Sequence, residues 1–262
     1  MVKRISIGLL AMSTLLGGPL RAAENDPTPE EIIRRFSEKE AEFQQIWQKY
    51  MYRQNITFEI LAPGKVELVR ERRSMSMEVY FTNEGKRETK KVSDQGHLKS
   101  LGITDEDISD AISLQPFVLT PDELHKYDIE YQGKERIDEL DLYVFQVDPK
   151  KIKKPNRYFR GKIWVDDEDF QIVMTRGKIE PDYKNNQFPE FETIREQIDG
   201  EYWFPTWTLA DDFLFGKHLR QLITYENYKR YEVETSIKYG PIVDEPDPKK
   251  PPKPPTKPPL WH

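Results

Sequence analysis

YFRGKIWVDDEDFQIVMTRGK, residues 158–178, is the stretch whose reading decides the fold. Two runs rich in β-branched and aromatic residues, 158–165 and 170–176, flank the acids Asp166, Asp167, Glu168 and Asp169, which predicts a β-hairpin closed by a four-residue loop. Side chains alternate along a strand, so Phe159, Gly161, Ile163 and Val165 share one face while Tyr158, Arg160, Lys162 and Trp164 share the other. The first face is expected to seek a core and the second to meet water. Nothing in the stretch is shaped like a catalytic loop.

Working outward, the same period of two recurs on both sides. Tyr50, Tyr52, Ile56, Phe58 and Ile60 alternate with Arg53, Asn55, Thr57 and Glu59, and 66–72, 75–82 and 87–92 follow as strand candidates separated by short turns. Residues 127–137 are expected to pair with 142–147, and 191–198 with 201–209 across Asp199 and Gly200, the strongest short hairpin signal in the chain. Residues 219–228 form a last strand. Short strands joined by short turns make an antiparallel meander. It is interrupted at 93–128, where Asp94, Gln95 and Gly96 break the pattern and two capped starts, at Thr104 and Thr120, predict short helices.

Ahead of the strands, Thr28, Pro29, Glu30 and Glu31 supply a capping hydroxyl, a proline at the first helical position and acids in the first turn. A helix is predicted to about Lys49, with Ile32, Ile33, Phe36, Phe43, Ile46, Trp47 and Tyr50 at helical spacing. The ends have different character. Residues 1–23 carry Lys3 and Arg4, an apolar run and a small-residue exit at Ala22 and Ala23, which reads as a secretory signal peptide, so the mature chain is expected to be exported and soluble; it is expected to be a periplasmic, unlipidated monomer. Residues 240–262, almost all proline, lysine and aspartate, cannot supply a core and are expected to be a disordered tail sampling polyproline II, with a spacer or a docking peptide for an envelope protein partner as the functional alternative. The folded domain is then 24–239.

Composition narrows the function. The 262 residues are 37% hydrophobic and 33% charged with a net charge of −6, and the signs are interleaved, so no broad basic field exists for nucleic acid. Cysteine is absent, which removes thiolate catalysis, disulfides, Cys-based zinc sites and a lipid-bearing N-terminal cysteine. The acids 166–169 lack the alternating ligands, glycine and distal glutamate of a calcium loop and lie at a hairpin tip, so a solvated turn is expected there, as at Asp211 and Asp212. His97, His125 and His218 form no metal motif, and no nucleophile elbow or glycine-rich phosphate loop occurs. No catalytic residue, metal or cofactor is assigned.

The hairpin GKIWVDDEDFQIV followed by FETIREQIDGEYWFPTW, within the order leader, amphipathic helix, meander, helical interruption and second meander, resembles the periplasmic lipoprotein-carrier superfamily, the LolA/LolB-like proteins and outer-membrane lipoprotein-sorting proteins. The resemblance spans roughly 29–238. It implies a mainly β, α+β fold: a strongly curved antiparallel sheet or half-open β-barrel, covered by the N-terminal helix and the short inserted helices, carrying lipid or lipoprotein acyl chains. No arginine of this chain is matched to the one that latches the carriers' lid. Wall residues expected for such a guest are Ile56, Phe58, Ile60, Ile163, Val165, Met174 and Trp207 on the sheet and Phe36, Phe43 and Trp47 on the helix. Two other readings stay open: a periplasmic interaction or stress-sensor module whose hollow is filled by its own side chains, and, with least support, a cell-envelope hydrolase.

Overall fold

In a computed structural model, which describes residues 26–64, 68–82, 84–113, 117–181, 190–198 and 200–231, the first element is helix α1 (Pro29–Trp47). Its start is the one the sequence announces: the Thr28 hydroxyl accepts a hydrogen bond from the Glu31 amide at 3.3 Å, and Pro29 opens the first turn. Two residues later the period becomes two and β1 (Tyr50–Leu61) begins, followed by β2 (Val69–Phe81) and β3 (Arg87–Gly96). The two runs expected at 66–72 and 75–82 form one strand, and β3 continues through Asp94 to Gly96, where a break was expected. Both extensions follow from pairing: Arg73 lies opposite Gly96, and its guanidinium donates to both Asp94 carboxylate oxygens at 3.1 Å.

Helices α2 (Asp105–Ser113) and α3 (Pro121–Leu124) come next, then β4 (Tyr127–Ile137), β5 (Leu140–Pro149), β6 (Tyr158–Asp166), β7 (Ile172–Glu180), β8 (Phe191–Ile198), β9 (Tyr202–Leu214) and β10 (Lys217–Arg230). All ten strands form one antiparallel sheet in the order β3-β2-β1-β10-β9-β8-β7-β6-β5-β4. The sheet is curved but not closed into a barrel, so β3 and β4 are its edges. The chain therefore travels from one edge to the other between β3 and β4, and the only short route crosses a face of the sheet. It carries α2 and α3 over the face that α1 also covers: Gln54 of β1 donates to the Ala111 carbonyl at 3.0 Å, and Phe117 stacks on Phe159 of β6 at 4.3 Å. The leader at 1–23, the connection at 182–189 and the tail at 240–262 lie outside the described residues. The chain divides into a unit ending at Tyr231 and a second, Glu232–His262.

The two faces are not one wet and one dry. The inner face, under the helices, holds the main core, including Phe36, Phe43, Tyr52, Ile56, Phe58, Phe145, Phe159, Ile163, Val165 and Phe204. A second apolar cluster lies on the outer face: Leu140, Leu142, Val144, Trp164, Val173, Met174, Ile194 and Trp203. Trp164, expected to meet water, is 4% exposed; its indole donates to Glu135 at 2.8 Å. The hairpin tip is likewise no free loop. Asp166 is 2% exposed and accepts from the amides of Glu168 and Asp169, while Asp169 accepts from the Trp203 indole at 2.9 Å. The acids thus shape the turn and tie it to β9, a role for short polar side chains that alternation alone does not reveal.

One close approach bends the sheet. Gly161 and Gly177 face each other across β6 and β7, and a Cβ on Gly161 would lie 2.2 Å from the Arg176 carbonyl oxygen and 2.5 Å from the Gly177 Cα. Only two facing glycines allow the backbones to fold so tightly on the concave side. Replacing Gly161 with valine is expected to cost about 3 kcal/mol or more through forced backbone movement, seen as a lowered denaturant midpoint; an unchanged midpoint would show that the bend tolerates a side chain.

Candidate functional site

The interface between α1 and the inner face is the place where this chain departs from an ordinary helix-on-sheet packing. Phe36, Phe43 and Trp47 point from α1 into the sheet and are met ring to ring: Phe36 by Phe145 at 5.7 Å, Phe43 by Phe204 at 5.4 Å, Trp47 by Tyr52 at 6.0 Å. In the middle of this apolar stripe stands Glu40, with no exposure. It forms a bidentate pair with Arg195 of β8, Nη1 to Oε1 at 2.8 Å and Nη2 to Oε2 at 3.1 Å. The side chains are 2% and 0% exposed. The guanidinium also donates to the Phe117 carbonyl and lies 4.8 Å over the Phe43 ring. Burial pushes the Glu40 carboxyl up, opposed by Arg195 and by the main-chain amides of Leu119 and Ile172. One node thereby joins α1, the crossing segment, β7 and β8.

A buried ion pair of this kind adds little net stability over well-packed apolar residues, because both ions lose their water. What it does is forbid alternatives: α1 seated one turn away would leave two bare charges in a dry interface. Arg195→Ala is therefore expected to destabilise the fold by about 3–5 kcal/mol, while Glu40→Leu combined with Arg195→Met stays within about 1–2 kcal/mol of the parent or exceeds it. Chemical denaturation of the three proteins decides, and equal losses in both variants would remove the specificity argument.

Toward the other side of the inner face the lining turns polar. Thr193 and Thr208 share a hydrogen bond at 2.8 Å, Thr208 another with the Tyr225 hydroxyl at 3.1 Å, and the buried Thr175 hydroxyl beside them has no hydrogen-bond partner among the described residues. Arg87 of β3 donates to the Tyr52 hydroxyl at 2.7 Å and to Gln54 at 3.1 Å. Burial pushes the Tyr225 hydroxyl up to about 12, and that of Tyr228 also well up. With the folded value above the unfolded one, a stabilising contribution that is complete below pH 10 is lost as pH rises towards 12. Stability measured from pH 9 to 12 should fall along that interval, and Tyr225→Phe should lessen the slope; an unchanged slope would place the titrating groups elsewhere.

Of the ten expected wall residues, eight lie in this one inner cluster: Phe36, Phe43, Trp47, Ile56, Phe58, Ile60, Ile163 and Val165. Met174 belongs to the outer cluster and Trp207 packs against it, so those two line no common wall with the rest. The reason is register: Met174 lies opposite Trp164 and Trp207 opposite Ile194, so both follow those residues to the outer face. Glu40 and Arg195 were not singled out by sequence, although a charged residue set between Phe36 and Phe43 on an apolar stripe is a signal of a buried partner. Asp211 accepts from Arg220 at 3.0 Å and pairs with His218 at the β9–β10 end. Among the described residues no three acids or histidines are grouped to hold a metal ion, and no helix there is long and apolar enough to cross a membrane.

No protein-family model and no curated protein matches the sequence. Solved structures do. The chain is similar to a DUF1329 family protein from Desulfovibrio piger, at 17% identity over 80% of this chain and 96% of that one, with a TM-score of 0.41. It is similar to a LolA superfamily protein from Nitrosomonas europaea, at 14% identity over 79% and 95%, TM-score 0.36. A lipoprotein-sorting protein domain from Vibrio parahaemolyticus is similar at 11% over 74% and 91%, TM-score 0.36. The likeness assigns no residue.

Proposed function

We propose that this protein is an exported carrier that holds an apolar chain of a lipid or lipoprotein between α1 and the inner face of the sheet, with the Glu40–Arg195 pair as the latch of the helix. The observation that carries this reading is the latch itself, a bidentate ion pair at the centre of an otherwise greasy interface. When α1 lifts, both ions regain water, which offsets part of the cost of wetting the rings around them. An all-apolar seam has no such compensation and opens less readily. The guest replaces the contacts that opening breaks: about 0.8 kcal/mol per buried methylene makes a chain of some fourteen carbons worth on the order of 10 kcal/mol before ordering costs. The threonine and tyrosine hydroxyls on the same face suit the ester or amide group of an acyl lipid better than plain hydrocarbon.

The direct ring contacts between α1 and the sheet favour a second reading, in which the protein's own aromatics fill the hollow permanently and the fold serves as an interaction module. One experiment separates them. Organic extracts of the purified protein, analysed by mass spectrometry, should contain acyl lipid, and an apolar fluorescent dye should enter and be displaced by fatty acid. Arg195→Lys, which keeps the charge but loses the planar fork, should speed dye exchange severalfold while the fold persists. A protein that is empty and excludes the dye in both forms leaves the interaction module as the reading.

A further inference from the structure

The antiparallel register places one set of strand connections at a single end of the sheet. Tyr127 lies opposite Pro149, Tyr158 opposite Glu180, Lys217 opposite Leu214, and Leu61 is flanked by His218 and Val69. The turn after β1, the β5–β6 connection and the β9–β10 turn therefore all leave the same end. Five large apolar side chains are markedly exposed among the described residues: Leu68, Val92, Ile152, Phe213 and Phe215. All but Val92 stand at this end.

Phe215 is the most telling. It is 75% exposed and occupies a left-handed conformation, φ 51°, ahead of Gly216 at φ 72°. A two-residue turn with both φ values positive favours Asn-Gly, and a bulky ring at its first position gains no packing in return for the strain. The turn is worse for holding this ring, so the ring's use lies outside the fold.

At the same end, where the β5–β6 connection carries Ile152, lies a groove of about 370 Å³ lined by His125, Lys126, Lys150, Lys151, Lys153, Asn156 and Tyr158. Between Pro149 and Tyr158 there are five basic residues and no acid, in a chain whose net charge is −6. Lys126 is paired with Glu123 at 2.7 Å and Lys150 lies 3.9 Å from Asp128, whereas Lys151, Lys153 and Lys154 have no acidic partner among the described residues. The groove is preformed: the Lys150 amide donates to the Lys126 carbonyl at 2.8 Å and the Asn156 amide to the Lys153 carbonyl at 2.9 Å. Crowded lysines repel until an anion joins them, and flexible ammonium groups with an amide and a phenol alongside suit a phosphoryl group.

We propose that this end of the sheet docks on an anionic lipid surface, the groove receiving a headgroup phosphate while Phe215, Phe213, Leu68 and Ile152 enter the interface. Aromatic and aliphatic side chains beside lysines are the composition that such a surface selects. The proposal does not depend on a guest being carried under α1.

Co-sedimentation of the full chain with phosphatidylglycerol vesicles and with phosphatidylcholine vesicles tests it, with inorganic pyrophosphate titrated separately as the soluble probe. Binding to the anionic vesicles only is expected. Lys151→Glu with Lys153→Glu should weaken it by about tenfold or more, whereas Lys90→Glu with Lys229→Glu, an equal charge change elsewhere, should weaken it by about twofold at most. Phe215→Asn should also weaken it, with a thermal midpoint equal to or above the parent's, which separates lost docking from lost folding. Failure to bind anionic vesicles, or equal losses in the two lysine variants, overturns the proposal. Pyrophosphate binding that is lost in the groove variant, without vesicle binding, assigns the groove to a soluble phosphate and removes the bilayer as its occupant.

Discussion

The arrangement of this molecule depends on where one carboxylate finds its counter-ion. Glu40 sits on the apolar stripe of α1 and Arg195 on the inner face of β8, 155 positions apart in the chain. Neither is tolerable in that interface without the other. Their contact fixes the longitudinal position of α1, and because Arg195 also reaches the Phe117 carbonyl, it fixes the crossing segment as well. The rings around the pair supply the bulk of the burial energy but are indifferent to sliding. The ion pair is not.

The crossing segment, in turn, exists because of how the strands are ordered. A meander that ended with β3 beside β4 would need only a short turn; here β10 inserts beside β1, and the chain must pass from edge to edge. That passage gives the inner face a second layer of cover, in which Ala111 and Leu119 are wholly buried. The outer face compensates differently, folding the β6–β7 tip over Trp203 through Asp169. The sheet thus buries apolar side chains on both sides around β5 to β9.

Much of this was legible in the sequence. Period two marked the strands, Thr28 and Pro29 marked the helix start, and the meander with a helical interruption followed from their order. What could not be read was any feature set by register. Alternation puts Trp164 on the face opposite Ile163 but does not say that this face is also covered; covering it takes Met174, which the register sets opposite Trp164, and Ile194, which it sets opposite Met174. Met174 and Trp207 were misplaced for that reason. Arg195 looks, in sequence, like one of several charged residues in a solvated strand, and only the partner across the interface distinguishes it. Glu40 was the better clue, since charge between two phenylalanines on one helical stripe demands an explanation.

The pairing of β1 with β10 carries a consequence for how the molecule is made. Tyr50 lies opposite Arg230, and just beyond it the Tyr231 hydroxyl donates to the Gln48 carbonyl at the end of α1 and accepts from the Phe81 amide of β2. The earliest strand to be synthesised is thus held on one flank by the latest, and the clasp comes from the residue that follows β10. A nascent chain carries three strands with an open flank until nearly the whole domain has been produced, and contacts this distant in sequence form slowly. The domain is closed by its last strand, so loss of even the final residues of β10 frees a flank of β1, the first strand.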